Sequence, residues 1–252
     1  MRRSSIKIRL LDLETSPNIV YTWGLFNQNV SLDQIAQPSH TLCWASKLAG
    51  EKEITYRRRG QPDFLTLLKE QLEDSDCVMT YNGRRFDLPI VNTEFALAGL
   101  SPPAPYKHID LLETVKKQFR FTSGKMQFVC EALGVGSKVE HEGFPLWVKC
   151  LEGDVDAWAK MKEYNIGDIV VLESLYNRLR PWILNHPNEA LYTPAGEMQC
   201  TTCGSTHLQK RGFHVTGVGR YQRYQCNDCG SWSRSRITDV SKDARGVLLA
   251  PL

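Results

Sequence analysis

The sequence predicts an α/β fold, in which a mixed β-sheet is flanked by helices, followed by a small C-terminal β-rich module. Three observations predict this organisation. Residues 5–13 alternate between apolar and polar side chains and then become apolar, as a strand entering a sheet does. From residue 61 onward, apolar residues recur at helical spacing in several segments. Beyond residue 198 the helical pattern stops, and two Cys-x-x-Cys pairs follow.

The composition is that of an ordinary soluble globular protein. Of the 252 residues, 42% are hydrophobic and 23% are charged, which is enough for one domain with a full core and a small appendage. No run of 18 apolar residues is present, so a membrane span is not expected. The net charge is +3, but residues 195–252 hold eight Lys and Arg against four Asp and Glu. The basic surplus therefore belongs to the C-terminal part.

The start of the chain and the single cysteines predict a reducing compartment. The basic residues at 1–5 lead directly into an alternating strand pattern, without the apolar segment of a secretory signal. Four single cysteines in apolar surroundings are expected to be buried thiols: Cys43, Cys77, Cys130 and Cys150. We therefore expect a cytoplasmic location, or the host cytoplasm if the gene is viral.

The order of strands and helices is predicted from the spacing of apolar residues and from the positions of glycine and proline. Strands are predicted at Ile19–Trp23, Thr41–Leu48 and Glu53–Arg57 as an antiparallel meander, then at Cys77–Tyr81 and His108–Asp110. Helices are predicted at Pro62–Glu73, Asp87–Leu97, Leu111–Phe119, Met126–Leu133 and from Asp154 or Val155 to Leu179. The predicted domains are residues 1–185, a linker at 186–197 that carries two prolines and a glycine, a cysteine module at 198–238, and a tail at 239–252.

Acidic side chains occur on three of these elements. Asp12 and Glu14 lie two apart on the first strand, so they share a face. Asp87 starts the helix after the Cys77–Tyr81 strand, where the helix dipole tolerates its charge. Tyr164 and Asp168 are four apart on the last long helix and are neighbours there. Each pair alone is weak evidence, because a strand end or helix face often carries solvated charges.

Together, however, these carboxylates predict a cation site. Carboxylate oxygens are the ligands that hard divalent cations prefer. Without a cation, crowded carboxylates repel one another and their pKa values rise. Two Mg²⁺ or Mn²⁺ ions roughly 3.5–4 Å apart can support phosphodiester hydrolysis. Two Mg²⁺ or Mn²⁺ ions are therefore the predicted catalytic cofactors.

The motifs resemble those of a known nuclease group. Leu10-Leu11-Asp12-Leu13-Glu14-Thr15, Tyr81-Asn82-Gly83-Arg84-Arg85-Phe86-Asp87-Leu88-Pro89 and Tyr164-Asn165-Ile166-Gly167-Asp168 stand in order along the chain. In order, spacing and neighbours they resemble the exonuclease motifs of the DEDD superfamily of 3′–5′ exonucleases, which has an RNase H-like fold. Asn-x-x-x-Phe-Asp is especially similar to the proofreading domain of family B DNA polymerases. Since Glu163 and not His stands five residues before Asp168, the resemblance is to the tyrosine (DEDDy) subgroup, over residues 5–180.

The resemblance implies a role for each acidic residue. Asp12 would bridge both metal ions, Glu14 and Asp168 would bind the ion on the nucleophile side, and Asp87 would help to hold the other. Tyr164 would orient the attacking water. A phenol with an ordinary pKa near 10 positions water by hydrogen bonding more readily than it acts as a base at neutral pH.

The same resemblance implies substrate contacts. Thr15, Asn82 and Phe86 would touch the nucleic acid, with Phe86 offering a ring for a terminal base; the alternative for Phe86 is a place in the core. Arg84 and Arg85 would face phosphate, or would be ordinary solvated charges. Asp110 is expected to cap the helix that starts at Leu111 rather than to join the acidic site.

The C-terminal cysteines predict a structural zinc ion. Cys200, Cys203, Cys226 and Cys229 form two Cys-x-x-Cys-Gly pairs, and four thiolates close a tetrahedral zinc site without leaving an open position. Over about 35 residues this module resembles the zinc β-ribbon of insertion-sequence transposase proteins. Its basic residues alternate with aromatic ones, so Lys210, Arg211, Arg220 and Arg223 are predicted to contact nucleic acid. The alternative is a small domain whose rings fill its own core.

These features predict a 3′–5′ exonuclease that releases 5′-mononucleotides, acting on single-stranded or frayed ends, with DNA favoured over RNA. The zinc ribbon would aid substrate binding, and protein partners are not predicted. One alternative is a structure-selective endonuclease of the resolvase or RNase H type, which uses related carboxylates. Another is a nucleic-acid-binding protein without turnover.

Overall fold

The computed structural model describes residues 5–193 and 196–249. These divide into two compact units, Lys7–Asn177 and a second unit with Ser5, Ile6 and the described residues from Arg178 onward. Pro194 and Ala195 of the predicted linker, and residues 250–252 of the predicted tail, lie outside the described residues. The domain boundaries derived from the sequence remain predictions.

The first unit contains a five-stranded mixed sheet. Its strands are β1 (Ile8–Thr15), β4 (Thr41–Leu48), β5 (Thr55–Arg58), β6 (Cys77–Thr80) and β7 (Lys107–Asp110), and a separate ladder joins β2 (Ile19–Val20) to β3 (Ile35–Gln37). The order in the sheet is β5-β4-β1-β6-β7. Strands β5, β4 and β1 are antiparallel, whereas β1, β6 and β7 are parallel. Strand β1 is therefore central, between the antiparallel and the parallel halves.

Six helices surround this sheet. They are α1 (Phe64–Glu73), α2 (Asp87–Leu97), α3 (Leu111–Gln118), α4 (Met126–Leu133), α5 (Phe144–Leu151) and α6 (Val155–Leu179). Leu11 and Leu13 pack with side chains of α1 and α2 around Trp44. Cys43, which pairs with Glu14 across β1 and β4, packs with side chains of α5 and α6. Because strand side chains alternate, Asp12 and Glu14 point toward the α5–α6 side.

Most predicted elements agree with the structure. Thr41–Leu48, Asp87–Leu97 and Met126–Leu133 have the predicted bounds, and Gly134 ends α4 in the left-handed conformation. The four single cysteines are buried. The strand predicted at Ile19–Trp23 is wrong beyond Val20, and α5 was not predicted because Gly143 and Pro145 at its start are typical of loops.

The second unit is a small antiparallel sheet. Strands β8 (Leu208–Val215), β9 (Arg220–Cys226) and β10 (Trp232–Arg234) pair in the order β10-β9-β8, and a short helix α7 (Lys242–Gly246) follows. Across the described residues, every helix is too short or too polar to cross a lipid bilayer.

Candidate active site and cysteine cluster

The acidic side chains predicted from three segments converge on β1. Ligand oxygens of Asp12, Glu14 and Asp168 all lie within 4.8 Å of one another. Strand β1 supplies the first two on one face, and α6 brings Asp168 to them as a fully buried side chain. One oxygen, Oδ1 of Asp168, is buried and has no hydrogen-bond partner among the described residues. An unsatisfied carboxylate oxygen in such a cluster fits a divalent cation.

The electrostatics of this cluster are unfavourable without a cation. Burial, followed by the charges of Asp168, Glu14 and Asp87, raises the pKa of Asp12 well above its usual range. Burial and the charge of Asp168 raise the pKa of Glu14 to about 8. Burial also raises the pKa of Asp87 to about 7. Cations at the site would offset this repulsion, so the donor set fits the metal ions predicted from the sequence.

Asp87 enters the site from the start of α2. The side chain is buried, and its Oδ1 accepts a hydrogen bond of 3.3 Å from the backbone N–H of Leu13. This bond fixes the helix start against the stretch of β1 between Asp12 and Glu14. Asp87 does not belong to the group of three with mutually close oxygens, although its charge acts on Asp12.

The loop between β6 and α2 is fixed by Asp110. Its carboxylate accepts from the backbone N–H groups of Asn82 at 2.8 Å, Arg84 at 3.1 Å and Leu112 at 3.0 Å. Asp110 therefore caps α3, as predicted, and also holds the loop. Asn82 has φ of 69°, and a Cβ on Gly83 would lie 2.2 Å from Thr80 Oγ1. The tight turn thus requires a residue that tolerates the left-handed region, followed by one without a side chain.

Lys138 also belongs to the site, although the sequence did not predict it. Its Nζ forms an ion pair with Asp168 and donates to Tyr164 Oη at 3.1 Å. Burial disfavours the ammonium, but the charge of Asp168 outweighs it and raises the pKa of Lys138. Burial and the charge of Asp168 also raise the pKa of Tyr164, so its phenol remains protonated at neutral pH. Lys138 lies in a loop without periodicity, and nothing in the sequence pattern marks it.

Three further side chains position the site residues. Asn165, fully buried, donates from Nδ2 to Asp12 Oδ2 at 2.7 Å. Trp147 packs edge-on against Tyr164, with ring centroids 6.1 Å apart. His141 also packs edge-on against Tyr164, with ring centroids 4.6 Å apart. Asn165 directly follows Tyr164 in the third motif, and this position is the one sequence feature that indicates a role for Asn165 at the site.

Two clefts lie near the site, and one of the site carboxylates, Asp12, lines the second. One, of about 660 Å³, is lined by Thr15, Phe86 and Arg85 among others, and the Phe86 ring is 41% exposed rather than part of the core. The other, of about 630 Å³, is lined by Asp12, Asn82 and three lysines: Lys116, Lys125 and Lys138. The predicted substrate residues are thus split between two clefts, and Arg84 forms an ion pair with Glu113 at 2.9 Å.

The four C-terminal cysteines form a compact cluster. All their sulfur atoms lie within 4.8 Å of one another, with Sγ–Sγ distances of 3.6 Å for Cys200–Cys229 and Cys203–Cys226. A tetrahedron with Zn–S bonds of about 2.3 Å has edges of about 3.8 Å. Burial opposes ionisation of Cys226, but backbone and thiol hydrogen bonds outweigh it and lower its pKa to about 7. The cluster is compatible with a zinc ribbon.

One face of the ribbon sheet presents arginines over aromatic rings. Arg223 lies 5.4 Å from the ring centroid of Trp232, and Arg234 lies 4.3 Å from that of Tyr221. Arg223 and Arg234 are directly paired across β9 and β10, so they share this face. Arg220 forms an ion pair with Asp239 at 2.9 Å and also lies 4.6 Å from the ring centroid of Phe213. Lys210 and Arg211 are exposed on β8.

The family model of the RNase H superfamily matches residues 10–180. The chain belongs to the RNase H superfamily. This match covers all the converging carboxylates, and the superfamily's fold is one of nucleases that use divalent metals. The fold therefore supports an enzyme of nuclease type that acts on nucleic acid.

A solved structure gives an independent comparison of the fold. The family B DNA polymerase from the hyperthermophilic archaeon Pyrobaculum calidifontis superposes with a TM-score of 0.52 at 15% sequence identity. The match covers 70% of this chain and 25% of the polymerase, so this chain spans about a quarter of the polymerase's length. At this identity the likeness concerns the fold alone. A comparison with curated protein sequences gave no significant match.

Proposed function

We propose that this protein is a metal-dependent 3′–5′ exonuclease of the DEDDy type that shortens single-stranded or frayed nucleic acid, preferably DNA, to 5′-mononucleotides. The observation that carries the proposal is the grouping of Asp12, Glu14 and Asp168 within 4.8 Å, with Tyr164 one helical turn from Asp168 and Lys138 in contact with both side chains. A phenol beside the third carboxylate favours this class over a resolvase or RNase H type of endonuclease. The likeness of the fold to part of a family B DNA polymerase agrees with it.

In this proposal the carboxylates hold two divalent ions. Asp12, Glu14 and Asp168 would be the principal ligands, and Asp87 would contribute from the start of α2. Bound there, Mg²⁺ or Mn²⁺ would supply the positive charge that attracts the phosphodiester and favours ionisation of the attacking water. Asn165 holds the Asp12 carboxylate in place through its hydrogen bond of 2.7 Å.

The Tyr164 hydroxyl is placed to orient water rather than to remove its proton. Because its pKa is raised, the phenol keeps its proton at neutral pH and both donates and accepts hydrogen bonds. Lys138 donates to the same hydroxyl oxygen at 3.1 Å, which leaves the phenolic hydrogen for Asp168 or water. Lys138 is thus a positioning residue for both Tyr164 and Asp168.

The ribbon is proposed to hold one zinc ion and to aid substrate binding. Its arginine–aromatic face can neutralise phosphates and offer rings to bases, and Lys210, Arg211, Arg220 and Arg223 are the proposed contacts. The four thiolates would leave no open position on the zinc, so its role would be to fold the ribbon.

The test uses oligonucleotides labelled at the 5′ end, as single-stranded DNA and as RNA, with Mg²⁺ or Mn²⁺. We expect a ladder that shortens from the 3′ end and that is abolished by Asp12→Asn and by a chelator. A closed circular single strand should stay intact, and its cleavage would instead favour the endonuclease. Binding without any cleavage would favour the non-catalytic protein.

A further inference from the structure

An exposed arm leaves the sheet directly after the catalytic strand. Strands β2 and β3 pair antiparallel, Ile19 with Gln37 and Val20 with Ile35, and the chain between them reaches outward. We call residues 19–37 the aromatic arm. None of its residues is buried, Trp23 is fully exposed, and Leu25 and Phe26 are 91% and 83% exposed. Soluble proteins rarely leave so many large apolar side chains uncovered unless the surface binds something.

The charge of the arm limits what it can bind. Asp33 is its single charged residue, and the tip carries the amides Asn27, Gln28 and Asn29 beside the rings. Such a surface offers no attraction for phosphates. It suits flat, uncharged groups with polar edges, which is the chemistry of unpaired nucleobases.

The base of the arm lines a cleft next to the candidate active site. Gln37 at the end of β3, with Pro38, Ser39 and His40, lines the cleft of about 660 Å³ whose other wall holds Phe86 and Arg85. The backbone N–H of Ser16, just after β1, donates to the carbonyl of His40 at 2.8 Å, which joins the base of the arm to the catalytic strand. Thr15 and Phe86 in this cleft are chain neighbours of Glu14 and Asp87, so a strand that leaves the carboxylates on this side would meet the base of the arm.

We propose that the aromatic arm binds unpaired bases of the substrate strand on the 5′ side of the scissile bond, by stacking on Trp23 and Phe26. The inference rests on the proposed nuclease function and adds a binding surface to it. Arginines such as Arg85 in the cleft would contact phosphates, while the neutral arm would contact bases. The arm would thus favour single-stranded over duplex substrates, because paired bases have no open faces.

Binding tests the arm without any need for catalysis. In an Asp12→Asn background, the Kd for fluorescent oligo-dT and oligo-rU of about 20 nucleotides is measured for Trp23→Ala/Phe26→Ala, for the ring-retaining Trp23→Phe/Phe26→Tyr, and for Phe144→Ala. Phe144 is an exposed ring on α5 and serves as the matched control. We expect the double alanine variant to bind at least about 25-fold more weakly, since each of the two stacked bases contributes about fivefold or more. The ring-retaining and control variants should bind normally.

The salt dependence distinguishes stacking from charge. Because the arm is neutral, the ratio of variant to parent Kd should be the same at about 50 and about 300 mM salt, whereas phosphate contacts weaken with salt. An unchanged Kd for the double alanine variant, or a loss that disappears at high salt, would overturn the inference. The first result would mark the arm as a surface for another protein.

A one-nucleotide substrate separates this inference from the proposed function. With Asp12 intact and Mn²⁺ present, the p-nitrophenyl ester of thymidine 5′-monophosphate has no nucleobase on the 5′ side of its scissile bond, so Trp23→Ala/Phe26→Ala should hydrolyse it as the parent does. Loss of ester hydrolysis would show that the arm supports the site and would overturn the inference. If the parent hydrolyses neither ester nor oligonucleotide, the proposed function fails, and the Kd comparison still decides whether the arm binds bases.

Discussion

Glu14→Gln should stabilise the protein at alkaline pH when no divalent cation is bound. The pKa of Glu14 rises to about 8 in the folded state from an ordinary value of 4.5, because burial and Asp168 disfavour its charge. A folded-state pKa above the unfolded value means that the folded state holds the proton more tightly. Below pH 4.5 the carboxyl is protonated in both states and costs nothing. As the pH rises from 4.5 to 8, the unfolded state ionises first, and the wild type loses stability relative to the glutamine variant.

The size of the effect follows from the shift. A pKa difference of 3.5 between 4.5 and 8 corresponds to at most about 5 kcal/mol at 1.36 kcal/mol per unit. Burial also raises the pKa of Asp12 and of Asp168, and each proton that these carboxylates retain lowers the repulsion on Glu14. We therefore expect a difference of roughly 2 kcal/mol in the free energy of unfolding at pH 8. The difference should vanish near pH 4.

The assay is urea unfolding in buffer depleted of Mg²⁺ and Mn²⁺, followed by the fluorescence of the tryptophans, which include Trp44 in the core. Glu163→Gln is the matched control, because it removes the same charge from an exposed position next to Tyr164. Addition of Mn²⁺ should reverse the order, since the wild type gains binding energy that the variant lacks. Equal stability of wild type and Glu14→Gln at pH 8 without metal would refute the argument that the cluster is strained by its own charge.

Three further changes test other parts of the structure. Lys138→Met should lower kcat roughly 100-fold with a smaller change in KM, because Tyr164 and Asp168 lose the group that positions them. Lys138→Arg should restore part of the rate. Equal kcat values for the wild type and both variants in steady-state assays would exclude this role. Gly83→Ala should destabilise the protein by about 1–3 kcal/mol in urea unfolding, because its Cβ would lie 2.2 Å from a Thr80 atom, whereas Gly246→Ala, with open space around it, should be neutral. Cys203→Ser should reduce the zinc content measured by mass spectrometry, whereas Cys130→Ser, at a buried thiol outside the cluster, should leave it unchanged; full zinc retention by Cys203→Ser would contradict the four-thiolate site.

The elements of the first unit were largely predictable because local rules and tertiary packing agree there. Asp87–Leu97 has a turn before it and a glycine after it, and Thr41–Leu48 is a continuous strand pattern, so both have the predicted bounds. Helix α5 was missed for the opposite reason. Gly143 precedes it and Pro145 lies in its first turn, and tertiary contacts of Leu146 and Cys150 stabilise it rather than local sequence.

The site was predictable in its carboxylates but not in the groups around them. Asp12 and Glu14 share a face by the two-residue period of a strand, and Tyr164 and Asp168 are adjacent by the helical turn, so spacing alone relates each pair. Lys138 obeys no such period. Its contact with Asp168 depends on how the loop between α4 and α5 folds over α6, where a Cβ on Gly167 would lie 2.7 Å from Val139. That close approach is set by packing, which spacing in the sequence does not encode.

The charges of the site explain why the loop that carries Lys138 is needed. Asp168 is buried, one of its oxygens has no hydrogen-bond partner among the described residues, and two carboxylates of β1 lie close to it. An isolated buried carboxylate of this kind would take up a proton and lose affinity for cations. Lys138 offsets part of that cost by pairing with Asp168, and Asn165 donates to Asp12 without adding charge. The side chains that sequence spacing did not reveal are therefore those that keep the acidic cluster ionisable, and hence able to bind cations, inside a folded protein.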